Sequence, residues 1–318
     1  MRVAFIDDIH HAYEETQGVQ RIREFADVVI FRDPVKSLSE LQDFDAIVAT
    51  RERTHLTAEF FNSLPKLRIV AQTGNHAYHV DLNAAEERGV LIGKATGGFC
   101  GAAGELTFGL MMAVMRQISQ VDHAIKNGKW PTPMTRVLRG KTLGVVGFGN
   151  IGQYVARIAN AFGMNVVAWG SRLTDEGAEQ AGARRLELDE LLRHSDVISI
   201  HATLTPQSRG LIDARRLALC KPGAYLINTA RGPIVNEKAL VEALSNGKLA
   251  GAGLDVFDVE PLPVDHPLRS LSNVVTTSHL GWPTDEMYEQ FANAAADVLI
   301  AYRENAEVPQ FSLKANLH

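Results

Sequence analysis

Residues 143–152 read Leu-Gly-Val-Val-Gly-Phe-Gly-Asn-Ile-Gly, and this stretch decides the fold. A short apolar strand runs into three glycines with GxGxxG spacing, and apolar residues at helical spacing follow. In such a strand–turn–helix, Gly147 permits the tight turn, Gly149 lets a pyrophosphate approach the backbone, and Gly152 lets the helix pack on the strand. The pattern predicts a dinucleotide site at a helix N-terminus. The alternative is a structural turn that binds nothing.

The glycine-rich turn opens a longer alternation of strands and helices. The predicted strands are Leu143–Val146, Val166–Trp169, Val197–His201, Tyr225–Thr229, Gly253–Phe257 and Asn273–Thr277. The helices between them include Ile151–Phe162, Leu186–Leu192, Asp213–Leu219 and Glu237–Ser245. Brief apolar strands separated by amphipathic helices predict parallel βαβ units, and six of them predict a doubly wound nucleotide-binding domain.

The first hundred residues show the same alternation. The predicted strands are Arg2–Ile6, Val28–Arg32, Ala46–Thr50, Leu67–Gln72 and Val90–Ile92. Helical spacing is found in Leu38–Leu41, Ala58–Leu64 and Leu82–Arg88. These short Val/Ile-rich runs indicate buried strands, so a second parallel α/β domain is expected here.

Glycines mark the joint between the two series. Residues 96–104 contain four of them, and a helix is predicted to follow over Glu105–Asn127. A last amphipathic helix, Asp285–Glu304, is expected to complete the first domain. We therefore predict a two-domain α/β chain in which a doubly wound domain, residues 99–283, is inserted into a discontinuous domain, residues 1–98 plus 284–318.

Composition excludes several classes of function. The 318 residues carry a formal charge of -5 and no dense Lys/Arg run, which argues against nucleic acid as a partner. The longest apolar run, residues 108–115, is too short to span a bilayer, and Asp7 and Asp8 interrupt any signal-like start. Cys100 and Cys220 are too few for a disulfide framework or a zinc site. A soluble, cytoplasmic protein without a metal or membrane partner is expected.

The second strand of the inserted domain ends without the acidic residue that usually binds the adenosine ribose. Gly170 stands at that position, and Ser171 and Arg172 follow it. A carboxylate would repel a 2′-phosphate, whereas a hydroxyl and a guanidinium can bind one. The sequence therefore favours NADP over NAD as the cofactor. The alternative is a surface arginine beside a site that tolerates either.

Three further polar segments follow predicted strands of the inserted domain. Residues 228–232 are Asn-Thr-Ala-Arg-Gly, residues 253–261 end in Asp-Val-Glu-Pro, and residues 277–282 are Thr-Ser-His-Leu-Gly-Trp. The carboxyl ends of parallel strands meet at one sheet edge, where ligands bind. Arg231, Glu260 and His279 are thus expected to converge beside the dinucleotide. An isolated histidine, arginine or loop acid has a structural alternative, but the three in this order beside GxGxxG indicate a catalytic set.

With these segments in place, the chain resembles the D-isomer-specific 2-hydroxyacid dehydrogenase family, which includes glyoxylate/hydroxypyruvate reductases and phosphoglycerate dehydrogenases. The resemblance extends to Arg51-Glu52-Arg53-Thr54, Thr73-Gly74 and Ala103-Gly104-Glu105. It implies a Rossmann cofactor domain inserted in a flavodoxin-like substrate domain, an NAD(P)-dependent oxidoreductase interconverting a small 2-keto acid and a D-2-hydroxy acid, and a homodimer.

The resemblance also implies roles for individual residues. His279 donates the proton, Glu260 raises its pKa and fixes its tautomer, and Arg231 holds the substrate carboxylate. Asp255 would bind the nicotinamide carboxamide. The implied cofactor residues are Gly147, Gly149, Asn150, Ile151, Gly152, Ser171, Arg172, Thr203, Thr229, Ala230, Asp255 and Gly281. The implied substrate residues are Arg51, Thr73, Gly74 and Arg231.

Substrate identity stays open at this point. A glyoxylate or hydroxypyruvate reductase is favoured, with phosphoglycerate dehydrogenase-like activity or a non-catalytic dinucleotide-sensing protein of the corepressor type as alternatives. Glu260 counts against formate dehydrogenase chemistry, because relatives with that activity carry glutamine there. The chain departs from the family at Ser278 and Thr203, where proline is common, and in the His-rich loop 75–79. The two histidines of this loop are expected to face solvent, and the alternative is that they reach a polar substrate.

Overall fold

The computed structural model describes residues 1–98 and 101–311, and the chain divides into two compact units. Unit 1 comprises Met1–Cys100 and Pro283–His318, and unit 2 comprises Gly101–Trp282. These divisions fall within two residues of the boundaries expected from the sequence. Two residues of the expected glycine-rich joint, Phe99 and Cys100, lie outside the described residues. The other cysteine, Cys220, is a buried free thiol.

Strands and helices alternate along nearly the whole chain. The strands are β1 (Arg2–Ile6), β2 (Asp27–Ile30), β3 (Ala46–Ala49), β4 (Ile69–Thr73), β5 (Leu91–Ala95), β6 (Thr142–Val146), β7 (Asn165–Trp169), β8 (Arg184–Arg185), β9 (Val197–Ile200), β10 (Ala224–Asn228), β11 (Leu249–Leu254) and β12 (Val274–Thr276). The α-helices are α1 (Gln17–Arg23), α2 (Ala58–Ser63), α3 (Leu82–Glu87), α4 (Ala102–Met115), α5 (Ile118–Lys126), α6 (Asn150–Ala161), α7 (Asp175–Gln180), α8 (Leu188–His194), α9 (Ala214–Leu219), α10 (Glu237–Ser245) and α11 (Asp285–Arg303). Single turns of 3-10 helix occupy Leu38–Leu41, Gly232–Ile234 and Pro267–Arg269.

Unit 1 contains a five-stranded parallel sheet in the order β2-β1-β3-β4-β5. This is the flavodoxin-like order, with a topological switch point between β1 and β3. The C-terminal helix α11 belongs to this unit and packs closely on α1, since a Cβ atom at Gly18 would lie 2.1 Å from the backbone carbon of Ala292. The expectation that the last helix completes the first domain agrees with this packing.

Unit 2 contains a seven-stranded parallel sheet in the order β12-β11-β10-β9-β6-β7-β8. The order reverses between β6 and β9, as in a Rossmann domain, and this switch point is where such folds bind ligands. Apart from Thr142 at the start of β6, the residues of β6, β9 and β10 are all buried, which explains their nearly continuous apolar sequences. The predicted fold class, doubly wound α/β in two parts, is confirmed.

Several predicted elements differ from the observed ones. The single helix expected over Glu105–Asn127 is wrong: α4 and α5 are separate, because Gln117 adopts a left-handed φ of 53°. Strand β11 also lies earlier than the predicted Gly253–Phe257. Its glycines admit α4, since a Cβ at Gly253 would come within 2.8 Å of the Leu110 side chain.

The short elements α1, α7 and β8 were not predicted, because their sequences carry little apolar periodicity. Among the described residues, no helix combines the length and the apolar character needed to cross a membrane.

Candidate active site

Three glycines shape the turn between β6 and α6, and each has different surroundings. A Cβ atom at Gly147, whose φ is 95°, would lie 2.3 Å from the backbone nitrogen of Ala202. At Gly152 it would lie 2.2 Å from the carbonyl oxygen of Gly147, so close packing excludes a side chain at both positions. A Cβ atom at Gly149 would have no described atom within 4 Å. We call this open space beside Gly149 the cradle, and a side chain at Gly149 would fill it.

Helix α6 begins at this cradle without a side-chain cap. Gly149 occupies the cap position and offers no side-chain acceptor, whereas Asn236 at the start of α10 accepts a hydrogen bond from the Ala239 N–H. The N–H groups of Asn150 and Ile151 therefore lie at the positive end of the helix dipole. Backbone N–H groups around an open cradle suit a pyrophosphate, so the residues present fit a dinucleotide.

Strand β7 ends beside the same turn. Gly170 follows it, and a Cβ at that position would lie 3.5 Å from the backbone nitrogen of Phe148. Ser171 and Arg172 come next, and both are exposed. Within the described part of the chain, no carboxylate forms an ion pair with Arg172. The structure thus places a hydroxyl and a guanidinium after β7, where a ribose-binding acid is usual.

The turn after β10 presents Arg231, and Asn228 organises it. The Asn228 side chain accepts a hydrogen bond from the Ala230 N–H (3.0 Å) and donates one to the Arg231 carbonyl oxygen (3.0 Å). Buried Thr229 hydrogen-bonds Thr107 of α4, with 2.9 Å between the hydroxyl oxygens. Asn228 was not predicted as a positioning residue, although an asparagine whose side chain hydrogen-bonds the backbone two residues later is a known turn signal.

His279 and Glu260 form the pair predicted from the sequence. His279 Nδ1 lies 2.8 Å from Glu260 Oε2, and the other carboxylate oxygen accepts a hydrogen bond from the Phe257 N–H at 2.9 Å. A carboxylate only accepts hydrogen bonds, so Nδ1 carries the proton that it shares with Glu260. No described residue hydrogen-bonds Nε2, which leaves that nitrogen available to a ligand.

The Glu260 carboxyl has a pKa below its ordinary value of 4.5. Burial alone would raise this pKa, but the hydrogen bonds from His279 and the Phe257 N–H and the charge of Arg231 together outweigh burial. Glu260 is therefore an anion at neutral pH.

Asp255 holds the loop that carries His279. Its buried carboxylate accepts hydrogen bonds from the Thr277 hydroxyl (2.6 Å), the Leu280 N–H (2.7 Å) and the Gly281 N–H (2.9 Å). His279 lies between these contacts with a left-handed φ of 61°, which is strained for a residue with a side chain. Both Asp255 oxygens thus serve the loop. The carboxamide contact expected for Asp255 stays a prediction.

The remaining predicted cofactor residues also lie past strand ends of unit 2. Thr203 is exposed after β9, and Ala230 is half-buried after β10. Gly281 lies close to Asp255, since a Cβ on it would be 3.2 Å from the carboxylate. The carboxyl edge of this one sheet therefore gathers Arg231, Glu260, His279 and the predicted dinucleotide residues.

Arg51, Thr73 and Gly74 come together at the carboxyl edge of the unit 1 sheet. The Arg51 N–H donates to the Thr73 hydroxyl (2.8 Å), and that hydroxyl donates to the Ala49 carbonyl oxygen (3.0 Å). Arg51 and Gly74 both have positive φ, 58° and 84°. The Arg51 side chain covers Gly74, because a Cβ there would lie 3.0 Å from Nη1.

The His-rich loop differs from expectation at one position. His79 is buried, and its Nε2 lies 3.2 Å from the side-chain oxygen of Gln72, so the prediction that it faces solvent is wrong. Burial lowers the pKa of His79. The side chain of Gln72 in turn donates a hydrogen bond to the Arg51 carbonyl oxygen, so His79 belongs to the hydrogen-bond network that holds the backbone of Arg51. Among residues 1–98 and 101–311, no three His, Cys, Asp or Glu side chains are grouped to hold a metal ion.

Comparison with known proteins agrees with this geometry. Residues 108–281 match the family model described as "D-isomer specific 2-hydroxyacid dehydrogenase, NAD binding domain". The chain is 36% identical over 306 residues to a glyoxylate reductase of Thermococcus litoralis, with 92% of each chain covered. It is 35% identical over 306 residues to a D-3-phosphoglycerate dehydrogenase of Methanocaldococcus jannaschii, covering 95% of this chain but only 56% of that one.

The fold is likewise similar to that of a phosphoglycerate oxidoreductase of Vibrio cholerae. The TM-score is 0.85 at 31% identity, with 96% of this chain and 100% of the other covered. The family resemblance predicted from the motifs is confirmed. The chain belongs to the D-isomer-specific 2-hydroxyacid dehydrogenase family, and it is an oxidoreductase that acts on a CH–OH group with a nicotinamide dinucleotide.

Proposed function

We propose that the chain reduces a small 2-keto acid, glyoxylate or hydroxypyruvate, to the D-2-hydroxy acid, with His279 as the proton donor. The observation that carries this proposal is the 2.8 Å contact between His279 Nδ1 and Glu260 Oε2, which leaves Nε2 open to substrate. The similarity to a glyoxylate reductase that matches along 92% of its length supports the substrate class.

His279, Glu260 and Arg231 have separate roles in the proposed reaction. When bound, the nicotinamide supplies the hydride. His279 Nε2 gives its proton to the substrate carbonyl oxygen, and the Glu260 anion stabilises the imidazolium from which that proton comes. Arg231 binds the substrate carboxylate through its planar guanidinium. The family resemblance also assigns Thr73 and Gly74 to substrate binding, and the Arg51 side chain covers Gly74.

The assay that tests this proposal follows NADPH and NADH oxidation with glyoxylate, hydroxypyruvate, pyruvate and bulkier 2-keto acids. We expect turnover that is fastest with the two small polar acids. Absence of turnover with every acid would overturn the reductase proposal.

The dinucleotide is assigned to the turn between β6 and α6, and two glycine variants test this. Gly149→Ala places its methyl group in the open cradle, so the fold should persist while cofactor binding is lost. Gly109→Ala is the matched control, because no described atom lies within 4 Å of a Cβ there either, and it should bind cofactor normally. Fluorescence titration with NADPH and a thermal melt separate the two results. Normal NADPH binding by Gly149→Ala would contradict the assignment.

NADP is proposed over NAD because Ser171 and Arg172 stand where a ribose-binding acid is usual. Replacing Arg172 with alanine should raise the KM for NADPH at least tenfold and leave that for NADH within about twofold. Equal effects on the two cofactors would defeat the proposal.

A homodimer is also proposed, on the basis of an apolar surface in unit 2. Helix α5 buries none of its residues, and Ile118 and Ile125 on it are about half exposed (52% and 43%). The segment after it exposes Trp130 (83%) and Met134 (93%). An amphipathic helix beside such side chains is typical of a surface covered by a partner.

Light scattering should give twice the 34.8 kDa mass of one chain. The double variant Trp130→Lys, Met134→Lys should shift the mass toward the monomer. Val264→Lys, at another exposed apolar residue of unit 2, should not. A wild-type mass near 34.8 kDa would refute the dimer.

A second candidate function is phosphoglycerate dehydrogenase activity. Its support is Arg51, a cation at the edge of the proposed substrate loop, together with the phosphoglycerate dehydrogenases to which the chain is similar. The chain spans about half the length of those proteins.

A further inference from the structure

The charge next to Arg51 distinguishes the two candidate substrates. Arg51 Nε lies 3.1 Å from Glu52 Oε2, and the Tyr78 hydroxyl donates to Glu52 Oε1 at 2.8 Å. The two charged side chains are only 16% and 24% exposed, so water screens their attraction less than at an open surface. Glu52 is therefore held in place from both sides, and its partner Arg51 is the side chain that covers Gly74.

The backbone around this pair is held tightly. Arg51 has a φ of 58°, and its carbonyl oxygen and N–H are bound by Gln72 and Thr73 (2.8 Å each). A strained residue with both backbone groups bound has little freedom to turn away. The Arg51–Glu52 pair is thus a preorganised feature of the loop that also presents Thr73 and Gly74.

The rest of this edge adds no excess of positive charge. Arg53 donates to the Asp7 carbonyl oxygen at 2.7 Å, and the Thr54 hydroxyl donates to the Asp7 carboxylate at 2.7 Å. The neighbouring Asp8 carboxylate accepts hydrogen bonds from two backbone N–H groups. Within the described residues of this edge, the carboxylates of Asp7, Asp8 and Glu52 accompany the guanidiniums of Arg51 and Arg53.

A phosphate group carries about -1.5 to -2 charges at neutral pH, and it needs uncompensated donors. Beside Arg51 it would meet the Glu52 carboxylate, and like charges in a partly buried place repel strongly. A hydroxyl group, in contrast, can donate a hydrogen bond to that carboxylate. The Arg51–Glu52 pair therefore acts more by disfavouring substrates with a phosphate group than by attracting substrates with a hydroxyl group.

Building on the proposed reductase function, we propose that Glu52 is a specificity-determining residue. It admits 2-keto acids whose distal group is neutral, with a hydroxyl favoured, and it rejects those with a phosphate at that end. By this inference the substrate is hydroxypyruvate-like, and 3-phosphohydroxypyruvate is a poor substrate even though Arg51 is present.

The test compares kcat/KM for hydroxypyruvate and for 3-phosphohydroxypyruvate in the wild type and in Glu52→Gln. The wild type should prefer the unphosphorylated acid at least a hundredfold. Glu52→Gln should reduce this preference at least tenfold, mainly through a lower KM for the phosphorylated acid. Glu187→Gln removes a carboxylate from an exposed ion pair with Arg185 in unit 2, and it should leave the preference unchanged.

Glu52→Ser, checked by a thermal melt, serves the same purpose if Glu52→Gln folds poorly. An unchanged preference in a folded, active Glu52 variant would overturn the inference and leave the reductase function standing. A wild type that prefers the phosphorylated acid would also overturn the inference, and it would favour the second candidate function, phosphoglycerate dehydrogenase activity. A wild type inactive on every 2-keto acid would instead remove the proposed function, and this inference with it.

Discussion

Two histidines in loops of unit 2, His279 and His266, each lie within hydrogen-bonding distance of a carboxylate, and only one of these pairs is suited to catalysis. His279 Nδ1 lies 2.8 Å from Glu260, and His266 Nε2 lies 3.0 Å from Glu237. In each pair the second carboxylate oxygen accepts a hydrogen bond from a backbone N–H. The donor to Glu260 is the Phe257 N–H, and the donor to Glu237 is the Asp258 N–H. The chemistry of the two pairs is thus almost the same.

The difference lies at the other ring nitrogen and in the surroundings. His266 Nδ1 accepts the Leu268 N–H and caps the 3-10 turn Pro267–Arg269, so both of its nitrogens are used. His279 is more exposed than His266, 30% against 18%, and none of the described residues binds its Nε2. A histidine–carboxylate pair is therefore not enough for proton transfer. The imidazole also needs one nitrogen left for the substrate.

The two histidines should differ most in their effect on turnover. His279→Asn should lower kcat about a thousandfold while NADPH still binds, because a general acid contributes about 10²–10⁴-fold. His266→Asn should lower kcat less than about tenfold, since it removes only a cap and an ion pair. Steady-state kinetics with a fluorescence titration of NADPH would measure both. Similar losses in the two variants would erase the distinction between the pairs.

The two carboxylates, Glu260 and Glu237, should also differ in their effect on kcat, with the larger effect at Glu260. Glu260→Gln removes the anion that stabilises the imidazolium during proton transfer, and kcat should fall about a hundredfold. Glu237→Gln should change kcat little and lower the free energy of unfolding by about 1–2 kcal/mol. Steady-state kinetics and urea melts of both variants would measure these effects. A fall in kcat of similar size in Glu237→Gln would show that both pairs serve the reaction.

The strained loop that carries His279 offers a smaller effect. Asp255→Asn replaces an oxygen acceptor with an amide that cannot accept all three hydrogen bonds, so His279 should lose its fixed position. We expect a fall in kcat of about tenfold, and Thr277→Val, which removes one of the three bonds, should have a weaker effect. Unaltered kcat in a folded Asp255→Asn enzyme would contradict this positioning role.

A third histidine of unit 2, His201, hydrogen-bonds a hydroxyl group in place of a carboxylate. His201 Nε2 lies 2.7 Å from the Ser199 hydroxyl, and burial lowers its pKa to about 4. The unfolded chain then binds a proton more readily than the folded one. The stability due to neutral His201 is therefore present above about pH 6.5 and is lost as pH falls toward 4.

Urea unfolding at pH 7.5 and pH 4.5 measures this effect. The wild type should lose about 1–3 kcal/mol more than His201→Gln over this range. His123→Gln, at an exposed position on α5, should behave like the wild type. Equal losses in wild type and His201→Gln would show that His201 is not held neutral.

The sequence alone predicts the catalytic edge because each part of it is local. Gly147, Gly149 and Gly152 reveal their turn through spacing, and Arg231 and His279 each follow an apolar strand within a few residues. Parallel strands bring such ends together whatever their distance along the chain. For this reason the sequence predicts the fold class, the family and the candidate site residues of unit 2.

Other features depend on contacts between residues distant in sequence. Gln117 breaks the long helix through a backbone conformation that apolar periodicity does not encode. Asp255 was predicted to bind the cofactor, and its hydrogen bonds to the loop of His279, 22 to 26 residues later, are a contact that the sequence does not reveal. Periodicity describes burial, and it carries no information about which acceptor a given donor meets.

Glu52 shows the same limit within a motif. Arg51-Glu52-Arg53-Thr54 was recognised in the sequence, but its electrostatic meaning depends on Tyr78 and Gly74, more than twenty positions away. The architecture and the type of reaction follow from the sequence, because strand ends and glycine spacing are local properties. Which histidine keeps an open nitrogen and which arginine pairs with a carboxylate depend on tertiary contacts, because folding supplies the neighbours that set charge and hydrogen bonding.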